Sequence, residues 1–326
     1  MCSFDDLTPD KVIKCAEDSL GFRFSGYLHP LPSYINRVYE IESSLGERYI
    51  IKFYRPGRWS LDAILDEHDF ILDCYEAEIP VVPPLKLIGD GTISEIDGIY
   101  FGIFNKRSGR LIEIKNDEEW IRLGAIIGRM HQVGNVYDAE NRVVLHPSYS
   151  TKDDIAFLID NNLIPEPYLS RFLTITNKIM EIITPLFANV PLQRIHGDCH
   201  AGNILEREKD GLMLIDFDDM VTGPKIHDLW LLLPGYIEDC RLEMDLLIEG
   251  YTQFSHFNNS DLKLIEPLRV MRMIYFTSWC GSQIDDLKFR HNFPEWGTPG
   301  FWEQEINDLE TQLKVIIDTL DSDKIT

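Results

Sequence analysis

Three oxygen-bearing side chains stand at intervals that suit phosphoryl transfer. His196-Gly-Asp-Cys-His-Ala-Gly-Asn203 sets Asp198 and Asn203 five positions apart, and the apolar run Leu212-Met-Leu-Ile ends on Asp216, which opens an Asp-Phe-Asp triplet. The spacing matches H-R-D-x-x-x-x-N followed by D-F-G. Moving the γ-phosphate of ATP onto a hydroxyl needs a carboxylate to orient the hydroxyl and take its proton. It also needs oxygen ligands to hold a metal ion on the phosphates, and cations to balance the remaining charge. Asp198 suits the first task, Asn203 and Asp216 the second. An amide and a carboxylate are hard donors, which points to Mg2+. An isolated His-Gly-Asp would carry little weight; the full set followed by a hydrophobic strand is far rarer. His196 and His200 also form H-x-x-x-H, but a glycine-containing turn offers no ligand-bearing helix, which argues against zinc.

The first third of the chain supplies a charged pair. Lys52 lies in the strand-like run Tyr49-Ile-Ile-Lys-Phe53, and Glu67 follows fifteen residues later on an expected helix. A strand lysine reaches the α- and β-phosphates, and a helix glutamate holds it there. Either residue alone would read as an ordinary surface charge; with the downstream motif they read as one device. The sequence has no G-x-x-x-x-G-K-[ST] and no G-x-G-x-x-G between the first strands. Ser33, Tyr34 and Asn36 stand in the equivalent segment, where hydroxyl, amide and backbone donors replace a glycine loop.

These residues need elements to hold them. Thr8-Pro9 signals a helix start, with Val12, Ile13, Ala16 and Leu20 on one face. Strands are expected at Arg37–Ile41, Arg48–Tyr54, Leu85–Ile88 and Gly98–Phe104, and a helix at Ser60–Glu78. Beyond residue 110 the pattern is helical. One helix is capped by Asn116 and runs to about His131, with Gly134 as a left-handed cap; others are expected at about 166–188, 226–253, 261–281 and 302–320. Residues 192–222 interrupt them as a turn-and-strand island. The layout is α+β: a β-rich N-lobe over residues 1–105, which binds nucleotide, and a mainly helical C-lobe over 106–326, which carries the catalytic and acceptor-binding parts.

With 31 Lys+Arg against 54 Asp+Glu, the net charge of −23 disfavours nucleic acid and anionic membrane as partners. Hydrophobic residues make up 44%, enough for a real interior. Six scattered cysteines without a C-x-x-C pair fit a reducing compartment. The N-terminal residues lack the basic start and apolar run of a signal peptide, and no apolar stretch is long enough to span a membrane, so a cytoplasmic location is expected.

His196–Asn203 and Leu212–Asp218 resemble the core of the aminoglycoside phosphotransferase and choline kinase group, a branch of the protein-kinase-like fold. Further strings resemble the narrower stress response kinase A family: Ser33–Tyr39, Lys52–Trp59, Ile64–His68, Gly128–His131, Gly223-Pro224 with Asp228-Leu-Trp230, and Ile265–Arg269. The resemblance implies a bilobal kinase fold and a monomeric serine/threonine kinase tied to stress and reactive oxygen responses. Its acceptor would be a protein, and whether that includes the chain itself stays open. By motif position it implies Asp198 as proton acceptor, Asn203 and Asp216 as Mg2+ ligands, Asp216 as a second catalytic residue, and Ser33 as an ATP contact.

The chain departs from protein kinases in three places. Asp218 replaces the glycine of D-F-G and either assists a second Mg2+ or anchors the loop, the latter preferred. His200 stands where a lysine is usual, which leaves open how the transferred phosphate is neutralised. Thr222-Gly-Pro224 leads straight towards a helix, leaving no room for an activation segment. Arg55, Arg58 and Trp59 read as a surface loop with a packed tryptophan, most of the late aromatic cluster as core, and Cys199 as a small buried residue. A small-molecule kinase acting on an aminoglycoside, amino alcohol or sugar is the nearest rival, because the acceptor is read outside the phosphate machinery. A nucleotide-binding pseudokinase is a more distant one.

Overall fold

A computed structural model of the chain describes residues 4–33, 35–208 and 211–322; Tyr34 lies outside them. Helix α1 (Pro9–Leu20) begins as expected: the Thr8 side chain accepts the Lys11 amide, and Gly21 ends the helix at φ 77°. Next comes a five-stranded antiparallel sheet of β1 (Phe24–Leu31), β2 (Arg37–Ser43), β3 (Arg48–Phe53), β4 (Ser94–Ile96) and β5 (Ile99–Asn105). Its spatial order is β1-β2-β3-β5-β4. Alternation along β3 and β5 buries Ile51, Phe53, Phe101 and Ile103 against α1 residues such as Val12 and Ala16. The register sets Lys52 between Val38 and Gly102.

Two strand expectations need correction. β1 was not foreseen, because Gly26 and Pro30 interrupt its alternation; its register shifts between Phe24 and Leu28. Leu85–Ile88 forms no strand. Pro83 and Pro84 lack amide donors, only a single bridge joins Pro84 to Phe104, and the edge of the sheet is taken by β4.

Helix α2 (Leu61–Glu76), capped by Ser60, ties the lobes together. Glu67 lies beneath the sheet, whereas Phe70, Ile71 and Cys74 join the larger core below. That core gathers α3 (Asp117–Gly134), α4 (Lys152–Asp160), α5 (Glu166–Ile183), α6 (Ile226–Trp230), α7 (Arg241–Tyr251), α8 (Ile265–Gly281), α9 (Leu287–Asn292) and α10 (Pro299–Ser322). The expected helix at 226–253 is two helices, parted by the segment containing Pro234 and Gly235. α4 lacks a sequence signal strong enough to have been seen. Gly134 is not a left-handed cap. It is the last residue of α3, and a Cβ there would lie 2.2 Å from the Arg194 carbonyl oxygen, so close packing requires the glycine.

The island at 192–222 folds as two small ladders. β6 (Arg110–Leu111), β8 (Ile204–Arg207) and β9 (Gly211–Leu214) form one; β7 (Gln193–Ile195) and β10 (Val221–Gly223) form the other. The chemistry-bearing loops, 196–203 and 215–220, are stretched between these ladders. Only Pro224 and Lys225 separate β10 from α6. None of the described helices is long and apolar enough to cross a membrane.

Candidate active site

The loop after β7 is held from beneath. Asp228 of α6 is fully buried and accepts the backbone amides of His196 at 2.7 Å and Gly197 at 2.9 Å. His131 of α3 meets the same carboxylate at 3.0 Å and is itself braced by the Tyr251 hydroxyl at 3.0 Å. Burial works against the Asp228 charge, but the His131 hydrogen bond and nearby imidazoles outweigh it, and the carboxyl stays below its ordinary range. Gly197 adopts φ 80°, and a Cβ there would lie 2.0 Å from the Asp219 carbonyl oxygen. Glycine is therefore obligatory where the two loops cross. Cys199 is fully buried and burial pushes its thiol well up, so it packs rather than reacts.

Asp198 leads out of this turn into a cleft. Its Oδ1 accepts Arg272 Nη2 at 2.6 Å, and its Oδ2 lies 3.3 Å from both His200 Nε2 and Asn203 Nδ2. Burial opposes its charge, but His200 and Arg272 prevail and hold the carboxyl well below the usual range. Asn203 Nδ2 also donates to the Asp198 carbonyl at 2.9 Å, which leaves its Oδ1 for another ligand. The Ile215 amide donates to the Asn203 carbonyl at 3.0 Å, which brings Asp216 to the same place. Asp216 sits at φ 61° and ψ 68°, a left-handed conformation uncommon outside glycine, with a side chain 57% exposed. Phe217 fixes that turn by packing on His196 and Phe70.

From the sheet side, Lys52 Nζ lies 3.3 Å from Glu67 Oε1, 3.1 Å from Asp218 Oδ1 and 3.5 Å from Asp216 Oδ1. Burial disfavours the ammonium, yet these carboxylates keep its pKa above the ordinary lysine range. Asp218 is buried; Lys52 and Arg58 overcome that burial and draw its carboxyl to about 2. Its side chain is thus committed to cations of the sheet lobe, and its carbonyl accepts from Arg142. Asp218 anchors the loop. Arg58 corrects the surface-loop reading: its guanidinium is largely buried between the buried Asp218 and the half-buried Asp219, because a carboxylate removed from water requires a cation. Trp59 packs beneath Arg142, whose guanidinium carbon lies 3.9 Å from its ring centre.

Two cavities meet at Asp198 and Asp219. The larger, about 610 Å3, contains Ser33, Asn36, Lys52, Glu67, Asn203 and Asp216 in its walls, so every sequence-predicted site residue among the described residues borders one space. Asn36 Oδ1 accepts the Arg55 amide at 3.0 Å and so also shapes the turn above the cleft. The smaller, about 250 Å3, is walled by Trp59, Asp154, Arg272, Tyr275, Phe276 and Trp279 among others. Part of the late aromatic cluster therefore lines a pocket rather than the core. Burial pushes the Asp154 carboxyl up to about 6. Sequence reasoning missed Arg142, Asp154, Asp219 and Arg272: Asp219 directly follows the triplet but belongs to no motif, and the others come from distant segments with no shared spacing.

The donor set suits Mg2+ bound with a nucleotide. No group of three or more His, Cys, Asp or Glu among the described residues could enclose a metal alone. A single exposed carboxylate and a free amide oxygen match an ion that takes its other ligands from phosphates and water.

Fold and site together define a phosphotransferase of the kinase-like type. The model of the phosphotransferase enzyme family (APH) matches residues 28–262. Stress response kinase A of Escherichia coli strain K12 is 36% identical over 315 residues, covering 96% of this chain and 95% of the relative. The serine/threonine protein kinase RdoA of Salmonella typhimurium is 34% identical over the same shares. The chain is a kinase belonging to the phosphotransferase enzyme family and, within it, to the stress response kinase A family. Amicoumacin kinase, solved with AMP-PNP, Ca2+ and Ami, superposes with TM-score 0.72 at 20% identity, covering 92% of this chain and 93% of that one. The microcompartment-associated aminopropanol kinase gives 0.70 at 14%, covering 97% and 98%. These two share the fold.

Proposed function

We propose that the chain transfers the γ-phosphate of ATP, with Mg2+, to serine or threonine hydroxyls of proteins in a cytoplasmic stress response, reactive oxygen included, and that it acts as a monomer. The observation that carries this reading is the meeting of Lys52, Asn203 and Asp216 in one cavity that shares Asp198 with a second cavity. Residues 1–105 serve as the nucleotide lobe: Lys52, steadied by Glu67, takes the α- and β-phosphates, with Ser33 and Asn36 over the terminal ones. Residues 106–326 supply the acids and the acceptor pocket. Asn203 Oδ1 and the Asp216 carboxylate would hold Mg2+, which when bound neutralises charge on the phosphates.

Asp198 receives the acceptor hydroxyl. As the acceptor oxygen bonds to the γ-phosphorus, the bond from that phosphorus to the bridging oxygen of ADP breaks, and the hydroxyl proton passes to Asp198. The names of the relatives, stress response kinase A and serine/threonine protein kinase RdoA, support a protein acceptor and a stress role.

A second reading, a small-molecule alcohol as acceptor, is favoured by one feature. The smaller cavity is lined by aromatic rings and Asp154, as suits a compact ligand. Incubation with γ-labelled ATP, Mg2+, a generic protein and a panel of amino alcohols decides between them. Label in protein, abolished by chelation, is expected; label only in a small molecule selects the second reading, and no label at all indicates a pseudokinase.

A further inference from the structure

His200 occupies the position where protein kinases place a lysine near the transferred phosphate, and its imidazole is turned to Asp198. The cations around the cleft differ in how firmly they are held. Lys52 has three carboxylates around it. Arg58 is wedged between Asp218 and Asp219 with 14% of its side chain exposed. Arg142 is buried and donates to the carbonyls of Ala63, Asp218 and Met220. None of these leaves its place without stranding a buried charge.

Arg272 is different. Among the described residues its guanidinium makes one hydrogen bond, to Asp198 Oδ1 at 2.6 Å, and its side chain is 34% exposed. It projects from α8 on the face formed with Met271, Tyr275, Phe276 and Trp279, which walls the smaller cavity. The helix is fixed by its buried residues, Leu268, Met271 and Ile274, so only the side chain needs to move. Its partner is the group on which an acceptor must dock. With Arg272 on Oδ1, and His200 and Asn203 on Oδ2, both Asp198 oxygens are engaged. Oδ1 carries a single contact, so an incoming hydroxyl that donates to it comes directly beside the Arg272 guanidinium.

We propose that Arg272 is a catalytic residue: in the empty site it rests on Asp198, and when ATP and acceptor fill the cleft it moves to the transferring phosphoryl group. This rests on the functional reading above. An acceptor oxygen hydrogen-bonded to Asp198 would stand about 2.7 Å from it, facing the phosphorus. A guanidinium bonded to that same carboxylate reaches the phosphoryl oxygens by side-chain rotation alone. The move answers two needs at once: it clears the Oδ1 side of Asp198 for the acceptor, and it brings a planar, bidentate cation to the charge on the transferring phosphoryl group.

The test uses the full chain, with Mg2+-dependent release of phosphate from ATP to water as the reaction common to any acceptor. Arg272→Ala is expected to lower kcat by about 100- to 1000-fold, the scale of losing one such cation or donor, while KM for ATP stays within about threefold. Added guanidinium ion should then restore at least about tenfold of the loss, which repair of a purely structural contact would not do. Arg272→Gln, which keeps the length and hydrogen-bonding capacity but not the charge, should show the same loss of kcat if the alanine variant does not fold. A variant with wild-type kcat, or a folded Arg272→Ala that guanidinium does not revive, overturns the proposal. Wild-type protein without Mg2+-dependent turnover would overturn the functional reading and this proposal with it. Active wild type beside an undiminished variant removes Arg272 alone.

Discussion

Lys52 and Asp198 face one cleft but are held there by different kinds of structure. Lys52 sits in the middle of a strand, positioned by ladder neighbours Val38 and Gly102 and by a glutamate one helix away. Its placement follows from regular geometry: alternate residues point into the core, and the remaining face looks towards the cleft. Asp198 lies in an irregular loop whose course depends on a buried carboxylate, Asp228, and on two left-handed residues, Gly197 and Asp216. The sheet lobe thus offers positive charge on a regular frame. The helical lobe offers acids on a tense loop held from beneath. A binding role tolerates the first arrangement, whereas a proton-accepting role demands the second, because its geometry must be right to within a fraction of an ångström.

If this division is correct, damage to the two sides should separate in kinetics. Asp198→Asn keeps the shape and the polar contacts but removes the base, so kcat should fall by at least about 1000-fold while ATP affinity stays near wild type. Loss of nucleotide binding instead would erase the distinction, and it is read by nucleotide titration beside turnover. Glu67→Gln weakens the hold on Lys52; KM for ATP should rise by about 10- to 100-fold, the scale of a charged hydrogen bond, with a smaller change in kcat. A variant altered only in kcat would place Lys52 with the chemistry rather than with binding.

The smallest effect concerns His68 beside that pair. Burial, with Lys52 adding to it, draws its imidazole down to about 3, and its ring meets the Tyr54 hydroxyl and Thr92, each at 2.8 Å. The unfolded chain takes up this proton near pH 6.5, the folded chain only near 3, so the unfolded state binds more protons between them. The contribution to stability is complete above about pH 6.5 and is lost as pH falls through that window. Between pH 7 and 5.5 the wild type should lose about 1 kcal/mol more than His68→Gln in urea unfolding. Equal losses would show that the frame around Lys52 is indifferent to this histidine.

Legibility followed the same division. The lysine strand, its helix partner and the Asp198–Asn203–Asp216 spacing were readable because each lies within a short segment whose periodicity or turn chemistry is local. β1 escaped because Gly26 and Pro30 blur its alternation, and the break at 230–241 because an apolar pattern continued across it. Arg58 was readable as a residue but not as a buried one. Its burial depends on Asp218 and Asp219, some 160 positions away, which draw it inward.

By itself the amino-acid order pointed to phosphoryl transfer and to residues suited to it, since phosphate chemistry asks for particular side chains at intervals that one loop and one strand can express. Only the tertiary structure decided which groups surround them. Arg142, Asp154 and Arg272 reach the cleft from separate helices and loops, and the smaller cavity exists only where those segments pack together. Charge pairing across long sequence separations is a property of the packed chain, because a buried carboxylate selects whichever cation the fold delivers to it.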